Sequence, residues 1–417
     1  MQSVNTKHDA AVYERCRYPR EICEMSDANL LYDSFLAAMK SSAWKTQVQQ
    51  FEMNHLIQIA GIQRELRERD YHFLPGTQFV MNERGKTRYI TGEQMRDRVT
   101  KHALCDGVLT PATQPFIIYD NGASQKGKGV SFSRGRLVTH LRKYYQRHGS
   151  NDGYILLLDY SKYYDNIQHD IYLDQIRAVT DNQEALYFLE MVLQQSRIDV
   201  SYMTEEEYST CMGKVFNSLE HSKIDKRLLT GEKFMAKHLN IGDQVAQNAG
   251  IVYPIPIDNY IKIVKGVKYY GRYNDDSYVI HESREFLKEL LAEVTERATV
   301  YGITINQAKT RICKLSQPFR FMKVQYWLTD TGRVVQKIHP KRLTVIRRLM
   351  KKLVHILPKK EFEKWYGDWM GSNYKIMSKQ QRENMDNLFC TLMEGKYEIQ
   401  NYTCRRHPVK KSGAERQ

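Results

Sequence analysis

The 417-residue sequence predicts an α+β fold, because strand-like and helical segments are mixed along most of the chain and a purely helical part follows. Apolar, aromatic and β-branched residues indicate strands at residues 154–158, 267–273 and 278–281. From Pro340 onward, Leu343, Ile346, Leu349, Leu353 and Ile356 form an apolar stripe at helical spacing.

The N-terminal elements are predicted from the same periodicities. Residues 28–69 are expected to form two helices, and Leu74-Pro75-Gly76 ends the helical pattern. The remaining predictions are strands at 78–81 and 87–91 around a turn at 82–85, a helix at 93–109, a glycine- and lysine-rich loop after Tyr119 and a helix at 133–146.

The charge of the chain indicates a polyanionic partner, either nucleic acid or an anionic membrane surface. The formal net charge is +15, and residues 331–417 alone hold 20 Lys+Arg against 8 Asp+Glu, a net +12. No apolar run approaches the roughly 18 residues of a membrane span, and the N-terminus is polar. The seven cysteines form no zinc-ligand pattern. We therefore expect a cytoplasmic protein with reduced cysteines that binds nucleic acid and no membrane.

Three carboxylates are candidate catalytic, metal-binding groups. Asp159 follows the apolar run 154–158, where an N-capping aspartate is the plainer interpretation. Asp275 and Asp276 follow Asn274 between two strand-like arms, and an ordinary hairpin turn is again the simpler alternative. Adjacent like charges between apolar strands repel unless a cation neutralises them. Together the three carboxylates would suit two Mg²⁺ ions, with Mn²⁺ as a substitute.

Several segments resemble the motifs of reverse transcriptases, in the order of that family. Residues 159–164 and 273–276 resemble motif A and the YxDD box of motif C. The other similar segments are 87–98 and 124–129 (fingers), 240–258 (motif B), 302–310 (motif D) and 321–326 (motif E, the primer grip). Within the family, the chain is most similar to bacterial and phage enzymes of diversity-generating retroelements and their group II intron relatives.

The resemblance implies a right-hand polymerase: fingers, a palm with an antiparallel sheet, and a helical thumb. The implied division is an N-terminal helical extension at 1–70, fingers at 71–150, a palm at 151–330 with a fingers-type insertion at about 171–238, and a basic thumb and tail at 331–417. The implied activity is two-metal synthesis of cDNA from an RNA template, a primer and dNTPs. A dedicated non-coding RNA or a small accessory protein is left open as a further partner.

The resemblance also assigns roles to single residues. Asp159, Asp275 and Asp276 would be catalytic, and together with Tyr160 they would hold the metal ions. The dNTP would be bound by Arg88, Lys128, Tyr164, Gln247 and Lys309, where Tyr164 excludes the 2′-hydroxyl of a ribonucleotide. Nucleic acid would be bound by Arg96, Arg98, Lys323, Lys341, Arg342, Arg347, Arg348 and Lys351. The plainer alternatives are a core aromatic for Tyr164 and solvated surface cations for the basic residues.

Three features depart from the family pattern: Ala246 stands where motif B usually has Ser, Gln125 replaces an Arg, and the segment between motifs A and B is long. Because of the long segment between motifs A and B, an antiviral defence enzyme remains the alternative biological role. An RNA-dependent RNA polymerase and a catalytically inactive RNA-binding relative are the rival functions. Tyr164 argues against the first, and the three carboxylates argue against the second.

Overall fold

The structure is a computed structural model that describes residues 25–40, 42–83 and 86–397. The chain divides into two compact units. Unit 1 contains the described residues up to Gly129 together with Leu156–Arg311, and unit 2 contains Val130–Ile155 together with the described residues from Ile312 onward. Among the described residues, no helix has both the length and the apolar character needed to cross a bilayer. The four-part division into extension, fingers, palm and thumb stays a prediction.

Unit 1 begins with three helices, α1 (Ala28–Met39), α2 (Thr46–Met53) and α3 (His55–Glu68). The Asp27 side chain caps α1 by accepting hydrogen bonds from two backbone N–H groups of its first turn. The expectation of two helices was wrong, because α2 was missed. It buries only Val48 and Phe51, so its apolar pattern is too short to be recognised in the sequence.

The strands predicted at 78–81 and 87–91 are confirmed as β1 (Thr77–Glu83) and β2 (Lys86–Gly92), which pair in antiparallel register. Residues 84 and 85 of the predicted turn lie outside the described residues. Helix α4 (Met95–Leu104) follows and continues into a π-helical turn at Cys105–Leu109. The short helix α5 (Thr110–Thr113) and a 3-10 turn at Gln114–Phe116 end this region. The sequence predicted one helix over 93–109, so it identified the helical stretch but not its π-helical end.

The rest of unit 1 surrounds a small sheet. Its helices are α7 (His169–Arg177), α8 (Gln183–Gln195), α9 (Glu205–Gly213), α10 (Ser218–His221), α11 (Gln244–Val252), α12 (Ile255–Asn259) and α13 (Arg284–Val300), with 3-10 turns at Tyr163–Asn166 and Lys226–Leu228 and a π-helical turn at Tyr260–Val264. Its strands are β3 (Tyr154–Leu158), of which residues 156–158 belong to unit 1, β4 (Ile198–Asp199), β5 (Phe234–Met235), β6 (Tyr269–Tyr273) and β7 (Asp276–His281). Strand β8 (Arg311–Lys314) begins at the last residue of unit 1. Within unit 1 the sheet neighbours follow the order β6-β7-β3, and β6 and β7 are antiparallel.

The long segment between motifs A and B has a small core of its own. Strands β4 and β5 pair at its two ends, where Ile198 lies opposite Met235. Val200, Phe216 and Met235 are buried together, and Tyr208 and Met212 pack against them. This part of the predicted insertion is therefore an ordered subregion that closes on itself.

Unit 2 contains helix α6 (Val130–His148), the antiparallel strands β9 (Phe319–Phe321), β10 (Val324–Leu328) and β11 (Val334–Ile338), and the helices α14 (Pro340–Ile356), α15 (Lys359–Asn373) and α16 (Lys379–Tyr397), with a 3-10 turn at Tyr374–Ile376. The predicted helical C-terminal part is confirmed, but its apolar stripe is partly wrong. Met350 and Val354 are buried, whereas Ile356 is 71% exposed. The core side of α14 is therefore rotated relative to the predicted stripe. In the same unit, the buried rings of Tyr366 on α15 and Phe389 on α16 stack on each other.

The β9–β10 hairpin of unit 2 has a strained turn. Phe321 pairs with Val324, so Met322 and Lys323 form a two-residue loop. Both have positive φ angles, 47° and 66°. Two-residue loops of this kind favour Asn-Gly, because other side chains disfavour the left-handed backbone. An Arg134 guanidinium N–H donates to the Met322 carbonyl at 2.8 Å and helps to hold the turn.

Replacing the turn by Met322→Asn/Lys323→Gly is expected to raise the free energy of unfolding by about 1–2 kcal/mol, because the new residues adopt the left-handed backbone more easily. Urea unfolding followed by circular dichroism measures this change. A Lys360→Gly substitution near the start of α15 is the matched control and is expected to lower stability. A double turn variant that unfolds at the same or lower urea concentration would contradict the assignment of strain.

Candidate active site

The paired aspartates lie at the tip of the β6–β7 hairpin. Tyr273 pairs with Asp276, so Asn274 and Asp275 form the two-residue loop. Asn274 has a φ of 51°, as expected of a residue type that tolerates the left-handed region. The sequence therefore predicted this hairpin and its turn correctly. Asp275 and Asp276 are both half-buried.

Asp159 follows directly after β3, the strand next to β7 in the sheet. The residue is only 7% exposed. Lys309 donates from its ammonium to both carboxylate oxygens, at 2.7 and 2.8 Å. The Asn306 side-chain amide donates to the same carboxylate at 3.0 Å, and the Asn306 backbone N–H donates to the Asp159 carbonyl at 2.8 Å. The segment resembling motif D therefore holds a cation against the carboxylate at the end of β3.

The structure does not gather the predicted carboxylates into a finished metal site. Within the described ranges, no group of three or more His, Cys, Asp or Glu side chains is placed to hold a metal ion. The chemistry of the donors nevertheless fits Mg²⁺, because Asp159, Asp275 and Asp276 supply hard carboxylate oxygens from neighbouring strands. The Lys309 ammonium is a stand-in cation at Asp159, which shows that this carboxylate attracts positive charge.

Tyr164 packs against motif B helix α11. A Cβ added at Gly250 would lie 2.6 Å from the Tyr164 hydroxyl and 3.2 Å from its ring, so only glycine leaves room for this ring. Burial, and then the charge of Asp275, raise the pKa of Tyr164 to about 12. The phenol is therefore neutral at physiological pH and lies within electrostatic reach of the hairpin carboxylate.

A comparison with protein families adds to this geometry. The sequence profile of the family described as "Reverse transcriptase (RNA-dependent DNA polymerase)" matches residues 80–326, more than half of the chain. This chain belongs to the reverse transcriptase family. It is therefore an RNA-directed DNA polymerase with the right-hand polymerase fold of that family, and its partners are an RNA template, a primer and dNTPs. A comparison with curated proteins finds no match.

The other residues predicted to bind dNTP have different surroundings in this reverse transcriptase. Gln247 is exposed on α11, and its neighbour Ala246 is 1% exposed and faces the core. Arg88 is half-buried on β2, opposite Met81. Lys128 donates to the carbonyls of Tyr119 and Asn121, at 2.8 and 3.2 Å, and so lies along its own loop.

Arg96 and Arg98 of α4 make contacts within the protein. Arg96 pairs with Glu65 and lies over the ring of Tyr71 at 4.6 Å. Arg98 donates to the Ala38 carbonyl and to the Ser42 hydroxyl. In this structure the two arginines connect α4 to the N-terminal helices. To bind nucleic acid as predicted, they would have to use guanidinium N–H groups other than those that make these contacts.

Most of the basic residues predicted for the thumb follow one helix. Lys341, Arg348 and Lys351 are exposed on α14, and Arg342 and Arg347 are half-buried there. An open groove of about 520 Å³ runs between α14 and α16, and it is lined by Thr344, Arg347, Arg348, Lys351, Asn384, Asn387 and Leu388. Lys323 is exposed at the strained turn before β10. Unit 2 therefore presents a groove in which cations and amides lie together.

The sequence did not reveal a buried charge cluster behind motif B. The Lys101 ammonium donates to Asp243 at 2.8 Å and also pairs with Glu93, and its side chain is fully buried. Asp243 is the N-cap of α11, where it accepts from the Val245 backbone N–H at 2.8 Å. Lys101 thus links α4 to the start of α11. Lys101 is a single lysine within a helical segment, between Val99 and Ala103 in the sequence, and this gives no local signal of such a role.

This cluster predicts a pH dependence of stability. Burial, and then the charge of Asp243, raise the pKa of Glu93 from 4.5 to about 7. The folded state holds this proton more tightly than the unfolded state, so the free energy of unfolding should fall as pH rises from about 4.5 to about 7. In Glu93→Gln the free energy of unfolding should fall by roughly 2–3 kcal/mol less over this pH range than in the wild type. Urea unfolding between pH 5 and 8 measures it.

Glu205→Gln is the matched control, because Glu205 pairs with Lys233 at an exposed position. Its pH profile should follow that of the wild type. If Glu93→Gln and the wild type lose stability in parallel between pH 5 and 8, the cluster does not hold the proton assigned to Glu93.

Proposed function

We propose that this reverse transcriptase makes cDNA by two-metal nucleotidyl transfer at Asp159, Asp275 and Asp276. The observation that supports this proposal is their placement: Asp159 ends β3, and the Asp pair begins β7, the neighbouring strand. Mg²⁺ ions bound by these carboxylates and by the backbone of Tyr160 would activate the primer 3′-hydroxyl and neutralise the pyrophosphate leaving group. Mn²⁺ would serve as a substitute.

Lys309 would have two successive roles. Without a divalent cation it neutralises Asp159, at 2.7 and 2.8 Å. With a cation at Asp159, like charges would repel its ammonium. The side chain is about half exposed, so it is able to move, and it would then be available to protonate the departing pyrophosphate.

This exchange predicts that Lys309→Met binds divalent cations more tightly than the wild type, by about tenfold, because the competing ammonium is gone. Titration with Mn²⁺ followed by electron paramagnetic resonance measures binding without reference to activity. Lys262→Met is the control, since the Lys262 ammonium pairs with a different carboxylate, that of Asp120. Equal Mn²⁺ affinity in Lys309→Met and the wild type would refute the competition.

We further propose that the groove between α14 and α16 holds the phosphates of the template–primer duplex. Arg347, Arg348 and Lys351 line it together with two asparagines, a set that suits phosphate and ribose oxygens. Such contacts are independent of base sequence and are weakened by salt. A retroelement of bacterial or phage origin, acting in the cytoplasm, is the proposed setting on the motif resemblance alone, and the antiviral alternative stays a prediction.

The deciding experiment is extension of a primed RNA template with dNTPs or with NTPs. Extension by dNTPs and poor use of NTPs is expected. Preferential use of NTPs would favour an RNA polymerase, and no extension with either substrate would refute the proposal. Sequencing the RNA that co-purifies with the protein would then show whether one dedicated RNA or many cellular RNAs are bound.

A further inference from the structure

A fully buried arginine lies beside the candidate active site. Arg272 is on β6, two residues before the hairpin loop, and its side chain is 0% exposed. Its Nε lies 2.9 and 3.0 Å from the two carboxylate oxygens of Asp258, and an Nη lies 2.7 Å from one of them. Asp258 is also fully buried. A buried guanidinium is tolerated only where its charge and its donors are satisfied, and Asp258 supplies the charge.

The remaining donors of Arg272 bind three backbone carbonyls. One Nη donates to Gly250 at 3.2 Å and to Asn274 at 3.3 Å, and the other donates to Ile251 at 2.8 Å. Gly250 and Ile251 belong to α11, whereas Asn274 immediately precedes Asp275. A planar guanidinium has five N–H donors in a fixed arrangement, so it is able to hold all three carbonyls and Asp258 at once.

These carbonyls belong to two parts of the candidate active site, the β6–β7 turn and helix α11. Asn274 has the left-handed backbone that presents Asp275. Gly250 is the residue against which the Tyr164 ring packs, and the Tyr163 hydroxyl also donates to its carbonyl at 3.2 Å. One side chain therefore connects the turn with the catalytic carboxylates to the surface beneath the sugar-selecting ring.

We propose that Arg272 is a positioning residue that aligns the Asp275 turn and the Tyr164 ring with each other, with Asp258 as its counter-ion. The inference rests on the proposed function of these two residues. It explains why a charged pair is kept in the core, where apolar residues of similar volume are often equally stable. A pair that served stability alone would have no effect on the choice of sugar.

Two variants test whether the pair positions the site or only stabilises the fold. Arg272→Lys keeps the charge opposite Asp258 but loses the planar set of donors. The double variant Arg272→Met/Asp258→Leu removes both charges and leaves an apolar pair. We expect each variant to lower kcat for dNTP at least tenfold, and to lower the ratio of kcat/KM for dNTP to kcat/KM for NTP at least tenfold. Arg382→Lys is the control, because the Arg382 guanidinium donates to the Met377 carbonyl and lies over the Tyr374 ring, both in unit 2.

The measurement is steady-state extension of a primed RNA template, on protein whose folding is checked by circular dichroism. If Arg272→Lys does not fold, the double variant supplies the same comparison. A folded variant of either kind that keeps the wild-type sugar ratio overturns the inference, even if its kcat falls. If neither variant folds, the pair is essential for folding and the positioning role is rejected. Wild-type protein without RNA-templated dNTP incorporation would instead refute the proposed function.

Discussion

Asp275→Asn is expected to lower primer extension by at least about a thousandfold, while RNA binding stays similar to that of the wild type or becomes tighter. The carboxylate is proposed to bind the metal ions, which are worth several kcal/mol of transition-state stabilisation. An amide has a similar shape but no charge, so the hairpin should still form. Removal of a negative charge near the template–primer also lowers electrostatic repulsion. Single-turnover extension and RNA filter binding measure the two quantities.

The control for this variant is Asp225→Asn. Asp225 pairs with Arg227 at the surface of the subregion between motifs A and B, where a carboxylate has no proposed role in catalysis. Its extension rate should equal that of the wild type. If Asp275→Asn extends primers within about tenfold of the wild-type rate, this carboxylate is not a metal ligand in the reaction.

The strand that ends at Asp159 and the hairpin turn at Asn274 were predictable because each depends on a short stretch of sequence. Five apolar residues before Asp159 predict a buried strand that ends at a carboxylate. Asn274 between two β-prone arms predicts a hairpin turn. In both cases the signal is a periodicity or a turn preference within about ten residues, and the structure agrees with it.

The contacts that tie these parts together were not predictable from the sequence. Lys309 and Asp159 are 150 residues apart, and Lys101 and Asp243 are 142 residues apart. Arg272 and Asp258 are closer in the chain, but an arginine in an aromatic strand looks like an outward-facing residue. Partners of this kind are chosen by tertiary packing, and one sequence contains no signal of which carboxylate meets which cation.

The same difference between local sequence patterns and tertiary packing explains the outcome for the helix predicted from Pro340 onward. The helical spacing of Leu343 and its neighbours correctly predicted a helix, but not which side of it is buried. Leu349 and Met350 are adjacent and both apolar, so periodicity alone did not separate the 38% exposed leucine from the fully buried methionine. The buried side depends on how α14 packs against α15 and α16, and the periodicity of one helix contains no information about that packing.

Tyr164→Ala is expected to raise the use of NTP relative to dNTP by about 10–200-fold, the range that steric selection in a pocket typically supplies. The ring is proposed to exclude the 2′-hydroxyl, so its removal should open space without affecting the metal-binding carboxylates. The ratio of kcat/KM for dGTP to kcat/KM for GTP on one primed RNA template measures the effect. Tyr163→Phe is the matched control: Tyr163 is buried, and the change removes only its hydrogen bond to the Gly250 carbonyl.

Gly250→Ala tests the same ring from the opposite side. The added methyl would lie 2.6 Å from the Tyr164 hydroxyl, so the ring has to move away from α11. A ring displaced toward the nucleotide should raise KM for dNTP while NTP remains excluded, the reverse of the Tyr164→Ala effect. If Tyr164→Ala admits NTP whereas Gly250→Ala weakens dNTP use and still excludes NTP, the position of the ring, rather than its chemistry, is the origin of sugar selection. If Tyr164→Ala keeps the wild-type ratio, selection resides elsewhere and Tyr164 is a core aromatic.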